Sequence, residues 1–243
     1  MPEGPSIYLL REELAGFARK TVRKVSGNSA LELSRMQGRR IRSIRCWGKH
    51  LLIEFAGFTL RVHLLMFGTY AINARKSGKK ARLRLEFETG EISFYSCSLK
   101  YLEGAPDDLY DWSADVLADA WSPRRARTNL VADPTRLVCD ALLDQTIFAG
   151  VGNIIKNEVL YRIKVHPATS IGALPSRKLG QLIKEARDYS FDFLDWKREQ
   201  SFKRHWLIHT KRVCALCGGP VTKAYLGTTQ RRSFYCAHCQ VRY

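Results

Sequence analysis

Apolar and polar residues alternate along the middle of the first half of the chain. Leu83, Leu85 and Phe87 are separated by arginine and glutamate, and the alternation resumes after the dipeptide Thr89-Gly90. A period of two residues predicts strands with one buried face, and a glycine between two such runs predicts a tight turn. The pattern therefore predicts an antiparallel hairpin. Further apolar runs, broken at Gly48 and other glycines, predict two or three more strands upstream.

The start of the chain has a different period. Ile7, Leu10, Leu14 and Phe17 recur at helical spacing, and Pro5 precedes them where a first helical turn tolerates proline. The pattern predicts a helix that leads into the strands. The fold expected from this part is a β-sandwich or a barrel flanked by that helix.

The remaining patterns divide the chain into four regions and place it in the α+β class. We predict a β-rich domain over residues 1–120, a basic linker over 121–129 and a helical domain over 130–204. The first helix of that domain is expected to open at Asp133. A short zinc finger, called the finger below, is predicted over residues 205–243.

The finger is predicted from two Cys-x-x-Cys pairs that stand 18 residues apart. Two such pairs bring four thiolates to the corners of a tetrahedron, the geometry of closed structural zinc sites. The predicted ligands are Cys214, Cys217, Cys236 and Cys239. They complete the coordination shell, so His205, His209 and His238 are not expected to bind the metal. Residues between the pairs predict a hairpin with Arg231 at its tip.

Composition favours a nucleic-acid partner. The chain has 40 Lys and Arg against 23 Asp and Glu, a formal charge of +17, which attracts polyanions. Basic clusters at residues 35–49, 75–84, 124–127 and 197–212 are interleaved with aromatics. A solvated basic surface and an anionic membrane surface are the alternatives. No apolar run approaches the roughly 20 residues of a membrane span.

A glycine-rich turn precedes one of the predicted helices. The sequence "GVGNIIKNE" predicts that a helix opens with its backbone N–H groups directed at an anion. Asn153 and Lys156 would add side-chain donors to the same phosphate. Glycine turns are common, so this motif alone does not separate a binding protein from an enzyme.

The first residues suggest covalent chemistry. Removal of Met1 would leave Pro2 as a secondary amine, which is partly unprotonated near neutral pH because α-amino groups titrate near ~8. Such an amine can attack a sugar C1′ and form an iminium, and the adjacent Glu3 can transfer protons. The alternative is that both residues only precede a helix, with Glu3 complementing its dipole.

Four motifs together resemble the formamidopyrimidine-DNA glycosylase and endonuclease VIII family of base-excision repair. The start "MPEGP" is similar to the family's catalytic terminus, and "RCWGKHLL" resembles its lysine-bearing strand, with Lys49 at the lysine. "LLDQTIFAGVGNIIKNEVLYRIKVHP" resembles its helix–two-turn–helix segment. "QRRSFYCAHCQ" resembles its terminal zinc finger, with Arg231 at the phosphate-binding position.

This resemblance covers essentially the whole chain and implies a bilobal fold with damaged DNA in the cleft. It implies that Pro2 attacks C1′ of a flipped-out nucleotide, that Glu3 assists ring opening and that Lys49 contacts a phosphate. Strand cleavage by β,δ-elimination would follow. Asn153 and Arg231 are expected to hold DNA phosphates, as is Lys156, and one structural Zn²⁺ is expected in the finger.

Two differences from the oxidised-purine branch predict to which branch of the family the chain is similar. The place where the oxidised-purine branch carries an Arg-x-Phe-Gly loop reads "YSCSLKYLEG", and the stretch from Trp196 to Cys214 is short. Both favour an endonuclease VIII-like enzyme for oxidised pyrimidines. Leu65, Met66 and Phe67 match the segment that fills the hole left by the flipped base, although apolar residues at a turn can equally be core.

Two alternatives stay open from the sequence. One is an oxidised-purine glycosylase of the same family. The other is a non-catalytic DNA-binding protein with a zinc finger, which would follow if Met1 were retained. We expect a monomer. Cys46, Cys97 and Cys139 are isolated from the zinc ligands, which predicts a reducing, cytoplasmic compartment. In a bacterium the protein would be associated with the nucleoid.

Overall fold

The structure, a computed structural model, describes residues 2–243. Met1, on whose removal the predicted nucleophile depends, lies outside the described residues. The chain divides into two compact units, Met1–Tyr110 and Asp111–Tyr243. The first unit therefore ends about ten residues before the predicted domain boundary.

Two four-stranded antiparallel sheets form the first unit. Their strand orders are β1-β6-β7-β5 and β2-β3-β4-β8. The strands are β1 (Lys24–Ser26), β2 (Ser43–Trp47), β3 (His50–Glu54), β4 (Phe58–His63), β5 (Thr69–Ile72), β6 (Leu83–Glu86), β7 (Glu91–Tyr95) and β8 (Ser98–Glu103). A short helix, α2 (Pro106–Leu109), follows them. The predicted hairpin is confirmed as β6–β7, with Gly90 at a φ of +96°.

The leading helix is also confirmed. It is α1 (Gly4–Glu13), and a 3-10 turn over Ala15–Phe17 continues it. Ile7, Leu10 and Leu14 are fully buried in one core shared with apolar residues of both sheets. Burying each such side chain stabilises the fold by roughly 1.5–3 kcal/mol. The core therefore fixes the position of the chain start.

The second unit is helical and ends in a two-stranded hairpin. Its helices are α3 (Pro123–Val131), α4 (Val138–Ala141), α5 (Asn153–Arg162) and α6 (Ser176–Arg198). Its strands are β9 (Thr222–Leu226) and β10 (Arg231–Tyr235), which pair antiparallel. The predicted α+β class and the hairpin of the finger are confirmed. No helix within residues 2–243 combines the length and apolar character that a membrane crossing requires.

Two boundaries differ from the sequence-based expectation. Residues 121–129, predicted as a linker, lie mostly in α3, because Ser122 caps its N-terminus by accepting from Arg125 N and Pro123 occupies the first turn. Asp133 does not open a helix: its carboxylate accepts from Thr135 Oγ1 in a turn, and the next helix begins at Val138.

Candidate active site and metal centre

Pro2 and Glu3 lie immediately before α1. Glu3 is the N-cap residue with an extended backbone, and its carbonyl oxygen accepts from Ser6 N at 2.8 Å and Ile7 N at 3.3 Å. Pro2 is partly exposed, whereas the Glu3 side chain is fully buried. The sequence thus places a partly exposed proline beside a shielded carboxylate, and the core packing of α1 holds the pair in place.

Lys49 occupies a two-residue turn between β2 and β3 rather than a strand. Trp47 and His50 pair across this turn, and Gly48 adopts a φ of +52°, a region that favours glycine. Lys49 is partly buried. The shortness of the turn fixes its backbone relative to both strands.

A polar and aromatic cluster beside Lys49 was missed by the sequence analysis. His50 and His63 face each other on β3 and β4 with ring centroids 5.4 Å apart, and Tyr110 Oη lies 3.3 Å from His50 Nδ1. Burial, followed by the charge of Arg61, lowers the pKa of His50 to about 4.

The pKa of His63 is lowered by burial and then by the charges of Lys49 and Arg61. Both imidazoles are therefore neutral near pH 7. The register of the β3–β4 hairpin was the signal that could have found this cluster, because it pairs His50 with His63 next to Lys49.

Leu65, Met66 and Phe67 form an exposed turn after β4. They are 50%, 46% and 80% exposed, so they are not core residues. Leu65 has a φ of +53°, which strains a branched side chain. Gly68 closes the turn by donating to Leu64 O at 2.7 Å, and a Cβ there would lie 2.0 Å from that oxygen.

The glycine-rich turn before α5 is held by one side chain. Gln145 accepts from Gly150 N at 3.1 Å and donates to Val151 O at 3.1 Å and Leu143 O at 2.8 Å. Asn153 is the first residue of α5 and is 8% exposed, with an Oδ1 atom that is buried and unpartnered. Leaving a buried acceptor unpaired costs free energy of folding. Gln145 was not predicted.

The predicted contact of Lys156 with a DNA phosphate is not supported by its position. Its side chain is fully buried, and Nζ donates to Arg232 O at 3.0 Å and Ser233 Oγ at 2.9 Å. The ammonium is therefore directed at β10 of the finger. Its physical role is to hold that strand against α5.

Two more polar residues of α5 attach the finger. Glu158, fully buried, accepts from the backbone N–H groups of residues 207, 208 and 209 at 2.8 to 3.0 Å. Asn157 accepts from Phe234 N at 3.3 Å and lies 3.0 Å from His209 Nδ1. Burial raises the pKa of Glu158. These residues show no amphipathic period, so the sequence analysis did not find them.

The tip of the hairpin is bound by Asp140 on α4. Its carboxylate accepts from Thr228 N and Oγ1 at 2.8 and 3.2 Å, and from Thr229 N and Oγ1 at 3.2 and 2.6 Å. Burial alone would raise the pKa of Asp140, but these hydrogen bonds hold it below the usual value. Gly227 is required here, since a Cβ would lie 2.2 Å from Asp140 Oδ2. The adjacent Arg231 is exposed at the start of β10.

Four cysteine sulfurs converge at the base of the finger, all within 4.8 Å of one another. Cys214 Sγ lies 3.8 Å from Cys239 Sγ, and Cys217 Sγ lies 3.6 Å from Cys236 Sγ. Zinc at about 2.3 Å from each sulfur of a tetrahedron requires edges near ~3.8 Å. The donor set therefore fits a metal ion such as zinc.

His205 and His209 near the finger pack against aromatic rings. The His205 ring stacks on Trp196 with centroids 4.1 Å apart, and His209 packs between Trp206 and Phe234. No histidine joins the cysteine cluster within the part of the chain that the structure describes.

Comparisons with known proteins find similar domains in both units. The model of the formamidopyrimidine-DNA glycosylase N-terminal domain matches residues 1–98, and that of its H2TH domain matches residues 115–189. Endonuclease 8 2 of Mycobacterium bovis is 30% identical over 263 residues, which cover 99% of this chain and 100% of that protein. Endonuclease 8-like 3 of Xenopus laevis is 30% identical over 232 residues, which cover 90% of this chain.

This chain spans 38% of the length of the Xenopus protein and 33% of its mouse counterpart. Among solved structures, formamidopyrimidine-DNA glycosylase of Lactococcus lactis, bound to DNA with an AP site, superposes with a TM-score of 0.85. Its identity is 20%, and the match covers 99% of this chain and 100% of that one, a likeness of fold. Full-length similarity to the mycobacterial protein and both domain matches lead to one conclusion: the chain belongs to the formamidopyrimidine-DNA glycosylase and endonuclease VIII family.

Proposed function

We propose that the protein is a bifunctional DNA glycosylase and AP lyase that removes oxidised pyrimidines. The family consists of DNA glycosylases with AP lyase activity. The observation that carries the proposal is the pairing of a partly exposed Pro2 with a fully buried Glu3 at the start of α1. Burying a carboxylate is costly, and a role of Glu3 in proton transfer would account for that cost.

In the proposed first step, the Pro2 nitrogen attacks C1′ of the damaged nucleotide. The glycosidic bond breaks, and the base leaves with its electron pair and takes up a proton. Glu3 then donates a proton to the ring oxygen as the C1′–O4′ bond breaks, and the nitrogen and C1′ form an iminium. This covalent intermediate divides one difficult step into two.

The iminium acidifies the sugar C2′ proton. Its removal expels the 3′ phosphate, a second elimination expels the 5′ phosphate, and water releases Pro2 from the sugar fragment. Lys49 is proposed to contact a DNA phosphate near the reacting sugar. Because His50 and His63 beside it have lowered pKa values, they add no charge repulsion to the Lys49 ammonium near neutral pH.

Binding of damaged DNA is proposed for residues of both units. Asn153 and the exposed Arg231 would contact phosphates, and Leu65, Met66 and Phe67 would fill the hole left by the flipped base. Flipping costs a few kcal/mol of unstacking, and this cost is least at a lesion. Lys156 is removed from this set because of its burial beneath β10.

The preference for pyrimidines rests on two features. The segment after β7 has no Arg-x-Phe-Gly sequence and forms β8. The connection from α6 to Cys214 is short and contains the 3-10 turn Phe202–His205. It leaves little chain for a loop over an oxidised purine. The names of the mycobacterial and Xenopus relatives, both endonuclease 8 proteins, support the same branch.

Zinc is proposed as the metal of the four cysteines, with a structural role. A closed shell of four thiolates leaves no open position for a substrate. The protein is proposed to act as a monomer. A reducing, cytoplasmic compartment is also proposed, since thiolate ligands must stay reduced.

Borohydride trapping tests the nucleophile. Incubation with DNA carrying an abasic site or dihydrouracil should yield a covalent protein–DNA adduct, because the reductant converts the iminium to a stable amine. Pro2→Gly should trap far less, and a Gly-Ser extension ahead of Pro2 should trap none. Equal trapping by all three proteins would show that another amine attacks.

Two measurements define the controls. Intact mass spectrometry establishes whether Met1 has been removed from each preparation, since a retained Met1 acylates the Pro2 nitrogen. Excision of thymine glycol, dihydrouracil and 8-oxoguanine from otherwise identical duplexes then compares lesions. Faster excision of 8-oxoguanine would replace the pyrimidine assignment by the oxidised-purine alternative.

A further inference from the structure

A groove between α3 and α6 carries positive charge outside the proposed lesion site. Its volume is about 640 Å³. The residues that line it and enter the inference below are Trp121, Arg124, Arg127, Ile183, Lys184 and Arg187. None of them is among the residues proposed to contact the lesion or its flanking phosphates.

Three guanidinium groups in this groove lack an acidic partner. Within residues 2–243, Arg124, Arg127 and Arg187 form no ion pair, whereas Arg125, on the same helix, pairs with Asp111 at 2.6 Å. Lys184 is neutralised by Asp188 one helical turn away. The uncompensated arginines therefore concentrate on one side of α3 and on the facing side of α6.

Backbone carbonyl groups hold two of these arginines in place without neutralising them. Arg187 Nη1 donates to Val116 O at 3.0 Å and Ala118 O at 3.1 Å. Arg127 Nη2 donates to Ser176 O at 3.3 Å. A guanidinium has five N–H donors, so each retains donors and its full charge for an anion.

The groove also has an aromatic and apolar floor. Trp121 is partly exposed, and its ring centroid lies 5.8 Å from that of Phe148, which supports it from the protein side. Ile183 is almost fully buried below. Cationic side chains beside an exposed aromatic ring are the combination that sequence-independent single-strand binding uses.

We propose that this groove binds a single strand of nucleic acid. Arg124, Arg127 and Arg187 contact successive phosphates, and a base stacks on Trp121. A peptide of Asp and Glu alone could match the charge, but it offers no aromatic ring to stack on the indole. A volume near 640 Å³ accommodates one or two nucleotides of a longer strand.

The test uses the full-length protein and a lesion-free single-stranded oligonucleotide, so its outcome is independent of the glycosylase activity. Fluorescence anisotropy of the labelled strand gives the affinity at several salt concentrations. Arg124→Gln combined with Arg127→Gln should reduce the slope of log K against log salt by about 1.4, two contacts at about 0.7 each. The matched Arg125→Gln variant should keep the parental slope.

Trp121→Phe provides a second, independent readout. The strand should quench part of the parental tryptophan fluorescence, and this part should be lost in the variant. The proposal is overturned if the double variant binds like the parent and Arg125→Gln. It is also overturned if polyglutamate of equal charge binds as tightly as the strand and weakens equally in the double variant, because the groove would then recognise charge alone.

Discussion

Glu3 and Arg231 are both proposed to act in the same reaction, but their positions are stabilised by different kinds of interaction. Glu3 precedes α1, whose apolar residues are buried in a core that both sheets of the first unit share. Arg231 lies on a two-stranded hairpin, and the core below it has five buried residues, Tyr161, Ile208, Cys214, Phe234 and Cys236. A two-stranded hairpin is marginal by itself in water. Hydrogen bonds to buried polar side chains and the four cysteines therefore stabilise the finger where its apolar core is small.

The start of α1 in the first unit and the finger in the second unit therefore depend on different conditions. Hydrophobic burial is insensitive to pH and to metal, so Glu3 should keep its position as long as the first unit is folded. The finger depends on metal coordination, on the Asp140 carboxylate and on three buried side chains of α5, those of Lys156, Asn157 and Glu158. We therefore expect conditions to exist in which the proposed catalytic residues Pro2 and Glu3 keep their positions while the finger is unfolded.

Removal of the metal should have the largest effect. Cys214→Ser or chelation should unfold the finger, because thiolate coordination of zinc contributes about 10–16 kcal/mol of apparent binding free energy in small domains. Amide hydrogen exchange should become fast over residues 222–235 and stay slow over 51–62. Lesion excision should fall to background.

Cys97→Ala is the matched control, since Cys97 is a buried thiol of the first unit and not a ligand. It should leave the metal content unchanged. Slow exchange over residues 222–235 in the chelated protein would show that the hairpin is stable without metal and that the finger does not depend on metal coordination.

Protonation of His50 on acidification should destabilise the first unit by up to about 3 kcal/mol, since each unit of pKa shift corresponds to about 1.4 kcal/mol. The pKa of His50 is about 4 in the folded protein against an ordinary value of 6.5. Its stabilising contribution is therefore complete above pH 6.5 and is lost as the pH falls towards 4. Urea midpoints at pH 7.5 and 4.5 should differ more for the parent than for His50→Gln. The exposed His238→Gln should behave like the parent.

Loss of the Asp140 carboxylate should weaken the finger by about 2 kcal/mol, the scale of hydrogen bonds to a charged group. Asp140→Asn should raise hydrogen exchange over residues 227–231 and weaken DNA binding. Because the pKa of Asp140 is lowered by folding, its contribution should be present at neutral pH and lost as the pH falls through the folded value.

Asp144→Asn is the control for this prediction. Asp144 accepts from Thr146 and Arg136 but forms no hydrogen bond or ion pair with the finger in the described residues. It should lower the overall unfolding free energy without a selective change at residues 227–231. Equal changes at the tip in both variants would mean that Asp140 acts only through the general stability of the helical unit.

The smallest effect on stability is expected at the exposed turn. Leu65→Gly should leave the melting temperature unchanged or slightly raised, since glycine relieves the strain at a φ of +53° but enlarges the entropy of the unfolded chain. Excision should nevertheless decrease if Leu65 fills the hole in the duplex. A lower melting temperature with unchanged excision would assign Leu65 to stability alone.

The sequence predicts elements where a period or a covalent spacing dictates them. A period of two residues predicts the β6–β7 hairpin, and a period of 3.6 predicts α1. The two Cys-x-x-Cys pairs predict the cysteine cluster. Residues 121–129 misled the prediction because their many charged side chains resemble a linker, whereas Ser122 and Pro123 start a helix. Local capping outweighed composition there.

Lys156 shows where a motif is insufficient. Its position in a glycine-turn motif predicts a phosphate contact, but a turn of helix directs its side chain at β10, more than 70 residues away in sequence. The same applies to Glu158, whose hydrogen-bond partners lie about 50 residues away in sequence. The partners of both residues are set by tertiary contacts, which no local pattern encodes.

The two-residue turn at Gly48-Lys49 has a consequence for affinity. When a lysine on a long loop binds an anion, the loop backbone becomes ordered, and the lost conformational entropy costs about 1–2 kcal/mol for each ordered residue. At Lys49 that entropy is already lost on folding, because Trp47 and His50 pair directly on either side. The proposed phosphate contact is thus preorganised. Lengthening the turn by two glycines would preserve the ammonium and its charge while making its immobilisation a cost of binding.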